Sequence, residues 1–65
     1  DDSAIREVCE KIVANSPKEK ALYLGGKETL IGWFVGQVMR EMRGKADPEL
    51  AKTILESVLK AGEGN

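Results

Sequence analysis

Along the first fourteen residues the apolar side chains fall at Ile5, Val8, Cys9, Ile12 and Val13. That is the i, i+3, i+4, i+7, i+8 spacing of a single helical stripe, and it predicts a helix over Ser3–Ala14. Arg6, Glu7, Glu10 and Lys11 fill the solvated side, while Asp1, Asp2 and Ser3 offer an N-cap and negative charge at the positive end of the helix dipole. A second, short helix is predicted over Pro17–Leu24. Ser16 stands at its N-cap, Pro17 at its first position and Glu19 where a capping box closes, and Gly25 and Gly26 stop it. The longest pattern follows, over 28–43, where Leu30, Ile31, Phe34, Val35, Val38 and Met42 recur at spacings of three and four. Gly44 ends this central helix, and Asp47 with Pro48 starts the next. The last helix is predicted over Pro48–Ala61, with Leu50, Ile54, Leu55, Val58 and Leu59 inward, Glu49, Lys52, Glu56 and Lys60 outward, and Gly62 as its cap. No period-two alternation occurs. The fold class is all-α, a small helical bundle of three main helices plus one short connecting helix.

The central stretch holds the chain's Trp, its Phe and both Met residues. On a wheel turning about 100° per residue, its apolar residues gather on one side. Thr29, Gly32, Gly36, Arg40 and Arg43 share the other, flanked by Trp33 and Gln37. Glycine inside a helix costs about 1 kcal/mol relative to alanine, so two of them one turn apart imply that something approaches the backbone closely there. Two occupants fit: a neighbouring helix seated in the furrow, or a polyanion lying along it. For the second, the arginines would serve phosphates and the Trp33 ring would offer a stacking face.

Size and composition narrow the field. A chain of 65 residues makes one small domain, which buries only about 60% of the surface its unfolded form exposes. An Asp at position 1 and a polar stretch at 62–65 are those expected of a piece of a larger protein. Ten Lys and Arg against eleven Asp and Glu leave a net charge of −1, so a uniformly basic nucleic-acid binder is excluded and only local patches remain. With no His and a single Cys, the chain can assemble neither a zinc cluster nor a Cys/His dyad. Cys9 lies within the apolar stripe and reads as a small buried hydrophobe. No apolar run reaches the roughly 18 residues of a membrane span and no signal-peptide pattern stands out, so a cytoplasmic location without membrane contact is expected.

Few residues could carry chemistry. Asp47 and Glu49 sit at a helix start and the other acids on helix exteriors, which assigns them to capping and solubility. The run Gly25, Gly26, Lys27 lacks the spacing of a phosphate-cradling loop. The basic residues say more: Lys27 opens the central stretch, Arg40 and Arg43 close its glycine side, and Lys45 sits in the next turn.

The run Gly26-Lys27-Glu28, then Gly32, then Val35-Gly36-Gln37-Val38-Met39, then Gly44-Lys45-Ala46-Asp47-Pro48 resembles the tail of the B subunit of the glutamine-dependent aspartyl/glutamyl-tRNA amidotransferases, a domain of the GatB/YqeY kind. The resemblance covers about 15–59. Leu30, Arg40, Met42 and Lys52 stand where that family commonly has a small residue, Lys, Thr and Asn. The resemblance implies a helical appendage that grips the outer corner of a tRNA near its D-loop and is not itself an enzyme. The parent would be an ATP-dependent amidotransferase using ATP and Mg²⁺, amidating Glu-tRNA(Gln) or Asp-tRNA(Asn) with ammonia from a glutaminase (A) subunit, and containing a C subunit as well. No cofactor is expected in this piece. Residue by residue, the resemblance carries over Lys27, Gly32, Gly36, Gln37, Arg40, Gly44 and Lys45 as tRNA-binding, and the helical-face argument adds Trp33 and Arg43. The other reading is a protein-interaction or packing module, of the parent enzyme or of a stand-alone YqeY-like protein, that touches no RNA.

Overall fold

A computed structural model of the chain describes residues 2–61, and among these every regular element is a helix. Helix α1 spans Ser3–Ala14, α2 Pro17–Leu24, α3 Leu30–Glu41 and α4 Pro48–Ala61. α1, α2 and α4 have the bounds that the periodicity and the Pro and Gly punctuation predict. The proposed caps formed by Asp1 and Gly62 lie outside the described residues.

The central helix is shorter than 28–43. At its start the amides of Leu30, Ile31 and Gly32 donate three residues back, to the carbonyls of Lys27, Glu28 and Thr29, so the chain enters through tight turns rather than α-helix. At its end Met42 is the last residue near helical geometry, and Arg43 turns into the left-handed region with φ 57°. The amide of Arg43 donates to Arg40 and that of Gly44 to Met39, the paired bonds that close a helix through a left-handed residue. Gly44 is also left-handed, with φ 74°, but the first reversing position belongs to Arg43. The same bonding closes α2, where Gly26, with φ 122°, holds the equivalent position and Lys27 donates to Leu22.

A side chain at such a position is strained by about 1–2 kcal/mol, against a smaller entropic cost for glycine. Arg43→Gly is therefore expected to stabilise the domain by about 1 kcal/mol, measurable as a higher urea midpoint with an unchanged slope. A lower midpoint would show that the Arg43 side chain itself supports the fold.

The caps also differ from expectation. Asp47 does cap α4, its Oδ1 accepting from the Glu49 amide at 3.0 Å. Ser16 and Asp2 occupy the N-cap positions of α2 and α1, yet neither side chain bonds the helix start. The capping box of Ser16 and Glu19 does not form.

α4 packs against both α1 and α3, and α1 against α3, so these three enclose the core while α2 closes one side. Ile5, Cys9, Val13, Phe34, Val38, Ala46, Ala51, Ile54, Leu55 and Leu59 are buried, with Val8, Ile12, Tyr23, Leu30, Ile31, Val35, Met39, Met42 and Val58 packed around them. Leu50, expected inside, is exposed, and Ala51 takes the inward position. Burial pushes the Cys9 thiol above its ordinary range, with a smaller opposing pull from Arg6, as befits a structural thiol rather than a nucleophile.

Candidate nucleic-acid interface

Phe34 and Val38 are fully buried and fix the rotation of α3. Once they face α1 and α4, the positions on the far side of the helix must face out. Gly32, Gly36 and Arg40 are exposed and Gln37 is half-buried. Trp33 keeps 39% of its surface exposed.

The glycines settle one question left open by the sequence. A Cβ built on Gly32 or on Gly36 would meet nothing within 4 Å. No helix among the described residues sits in the furrow, so packing among them is not why the two glycines are there. They leave a strip of bare helical backbone facing outward.

Beside that strip, Trp33, Gln37 and Arg40 follow one another at i, i+4 and i+7 on a single side of α3, where side chains one and two turns apart are neighbours. The Trp33 ring packs against Phe34 at 5.1 Å between centroids and 83° between planes. The core thus holds the indole in place, while the perpendicular contact leaves it at least one broad face that Phe34 does not cover.

Arg43, Gly44 and Lys45 are exposed beyond the end of the helix. This corrects the placement of Arg43. It is not on the glycine side by helical register, because the helix has ended by Glu41, but on a left-handed turn that joins it to Gly44 and Lys45. Lys27 is exposed at the opposite end, across a helix of 12 residues, about 18 Å at 1.5 Å per residue. The fold therefore brings Gly32, Trp33, Gly36, Gln37 and Arg40 onto one strip, places Arg43, Gly44 and Lys45 at its C-terminal end, and leaves Lys27 apart from that cluster.

One contact that the sequence does not foretell changes the charge of this end. Glu41, the acid of α3, pairs with Lys11 of α1, Nζ to Oε2 at 3.3 Å, with both side chains largely exposed. Such a pair adds little stability, but it matches the carboxylate with a cation from another helix. Among the described residues no ion pair or side-chain hydrogen bond engages Lys27, Arg40, Arg43 or Lys45. No signal in the sequence could have given the pair, which joins residues thirty positions apart.

Two concavities lie elsewhere, one lined by Ala4, Glu7, Val8, Lys11 and Met42, the other by Tyr23, Leu24, Gly26, Glu28 and Lys60. Neither includes any of the nine candidate residues. The candidate surface is an exposed helix face with a basic end. Among the described residues, no three His, Cys, Asp or Glu side chains gather as metal ligands, and no helix is long and apolar enough to cross a membrane.

A model of the GatB domain matches residues 1–59 of the chain. The chain belongs to the GatB domain family. It is 48% identical over 59 residues to the aspartyl/glutamyl-tRNA(Asn/Gln) amidotransferase B subunit of Nitratidesulfovibrio vulgaris, covering 91% of this chain and 12% of that protein. The namesake proteins of Persephonella marina and Lachnospira eligens are 45% and 43% identical over 60 residues, each match covering 92% of this chain and 13% and 12% of those proteins. The GatB domain chain thus spans only about an eighth of the length of the curated relatives it matches. No solved structure matches it.

Proposed function

We propose that this GatB domain is a non-catalytic tRNA-binding module of an amidotransferase B subunit. One observation carries the reading: the outward backbone strip at Gly32 and Gly36, which no described part of the domain covers. It runs towards Arg40, Arg43 and Lys45, cations without partners among the described residues. Each helical glycine costs about 1 kcal/mol, and a ribose-phosphate chain drawn against the bare backbone supplies the compensating contact, with the cations on its phosphates. The names of the relatives supply the ligand, a tRNA, and the grip falls on its outer corner near the D-loop. The parent's reaction in this reading is amidation of Asp-tRNA(Asn) or Glu-tRNA(Gln) by a cytoplasmic, ATP- and Mg²⁺-dependent enzyme. The remainder of the B subunit would hold that chemistry and join this domain to the glutaminase (A) subunit, and to the C subunit as well.

The open furrow equally admits a helix from the parent or another protein, and one substitution separates the occupants. Gly36→Leu puts a side chain into the furrow without altering charge. Since a Cβ at this position meets no described atom within 4 Å and leucine is the better helix former, the variant should be more stable, by up to about 1 kcal/mol, as read from its thermal midpoint. In the intact parent it should weaken tRNA binding at least tenfold. Unchanged tRNA affinity would remove RNA from the furrow. Loosened attachment of the domain to the parent would then identify a docked helix, a contact nearly insensitive to salt.

A further inference from the structure

Building on the tRNA reading, we infer that this face takes an unpaired, unstacked base, with Trp33 as its stacking platform and Gln37 as the side chain that reads its edge. The line Trp33, Gln37, Arg40 supplies three different chemistries on one side of α3: an aromatic face, an amide with both donor and acceptor, and a guanidinium. A paired helix would leave the first of these unused, because its bases are stacked on one another and offer no π-face to a protein ring. Trp33 is the exposed aromatic of α3, and it is not loose. Its perpendicular contact with the fully buried Phe34 fixes the indole before a ligand arrives, so that little rotamer freedom remains to be lost. Gln37 is half-buried next to it, and no hydrogen bond among the described residues uses its amide. Gly36 lies beside both and carries no side chain, leaving room for a sugar-phosphate chain to pass close to the backbone. Charge favours the same occupant. Glu41 is matched by Lys11, while Arg40 stands free one turn beyond Gly36, about 10 Å along the axis from Trp33, to take a flanking phosphate.

Trp33 is the chain's single tryptophan, so its emission reports this position alone. The probes are a fluorescently labelled RNA hairpin with an unpaired loop and a labelled, fully paired RNA duplex of the same length, bound to the chain and followed by anisotropy and by indole emission. The hairpin should quench Trp33 and the duplex should not. Trp33→Leu should weaken hairpin binding about 5- to 150-fold, the range for loss of one stacked base, with Trp33→Phe restoring most of it. Gln37→Met should reduce discrimination among hairpins that differ in the loop base and leave duplex binding alone. Circular dichroism and melting of each variant separate a lost contact from a lost fold, and Trp33→Phe still decides the matter if Trp33→Leu unfolds. If the hairpin binds but leaves the indole emission unchanged, and Trp33→Phe and Trp33→Leu bind as the unsubstituted chain does, the stacking inference is overturned and phosphate contacts alone hold the RNA. If neither RNA binds, this inference is overturned, while the tRNA reading is decided separately by tRNA binding of Gly36→Leu in the intact parent.

Discussion

Phe34→Ala is expected to leave the domain without a cooperative melt. Phe34 is fully buried, packed edge-on against Trp33 and, at 6.5 Å and 89°, against Tyr23 of α2. It is the side chain through which α3 reaches both the core and the connecting helix. Removing such a ring costs about 3–5 kcal/mol through lost transfer energy and the cavity left behind, and the two perpendicular ring contacts add about 0.5–1.5 kcal/mol each. A single core in a domain of this size supplies only about 3–5 kcal/mol in total, so the variant should be largely unfolded at 25 °C. Thermal circular dichroism would read this directly, with Leu50→Ala as control. Because Leu50 is exposed, its loss should cost about 1 kcal/mol or less. A Phe34→Ala protein that still melts within a few degrees of the unsubstituted chain would mean that α3 is not the helix holding the core together.

Replacing Arg40, Arg43 and Lys45 together with Gln is expected to weaken tRNA binding strongly with no loss of fold. All three are exposed, and none has a partner among the described residues whose own satisfaction depends on it. Removing Arg43 from its left-handed position does not relieve strain here, since Gln carries a Cβ as well, so stability should stay near that of the unsubstituted chain. Binding by the intact parent should lose its salt dependence in proportion to the phosphates released, the log–log slope becoming shallower by about 2 to 3, at roughly 0.7–0.9 for each contact removed. Cognate and non-cognate tRNA should lose affinity alike, because phosphate contacts position a nucleic acid without reading its bases. A slope that does not change would show that the basic end of α3 faces solvent in the complex.

Phe34 and Arg40 lie on opposite sides of one helix, and the sequence determined which residues of that helix stand on which side. With Phe34 and Val38 three and four positions from their apolar neighbours, only one rotation of the helix buries them, and the same rotation turns Gly32 and Gly36 outward. Local chemistry was also sufficient for the limits of α1, α2 and α4, since Pro17, Pro48, Gly25 and Gly26 act on the backbone next to them whatever the rest of the chain does. The family could be read as well, from glycines and charges at fixed spacing in the central stretch. Other features depended on how the helices meet. Ala51 is buried and Leu50 exposed because the packing of α4 against α1 and α3 turns inward the face that Ala51 shares with Ile54 and Leu55. Whether the furrow was filled or open could be decided only by where α1, α2 and α4 lie, since a bare backbone is equally compatible with either. The tertiary fold likewise brings Lys11 to Glu41 and so leaves the basic end of the helix without its neighbouring acid. Arg43 shows the limit of the helical wheel. The periodicity ran through it, but the helix closes one residue before Gly44, so the left-handed turn fell on a side chain that bears the strain.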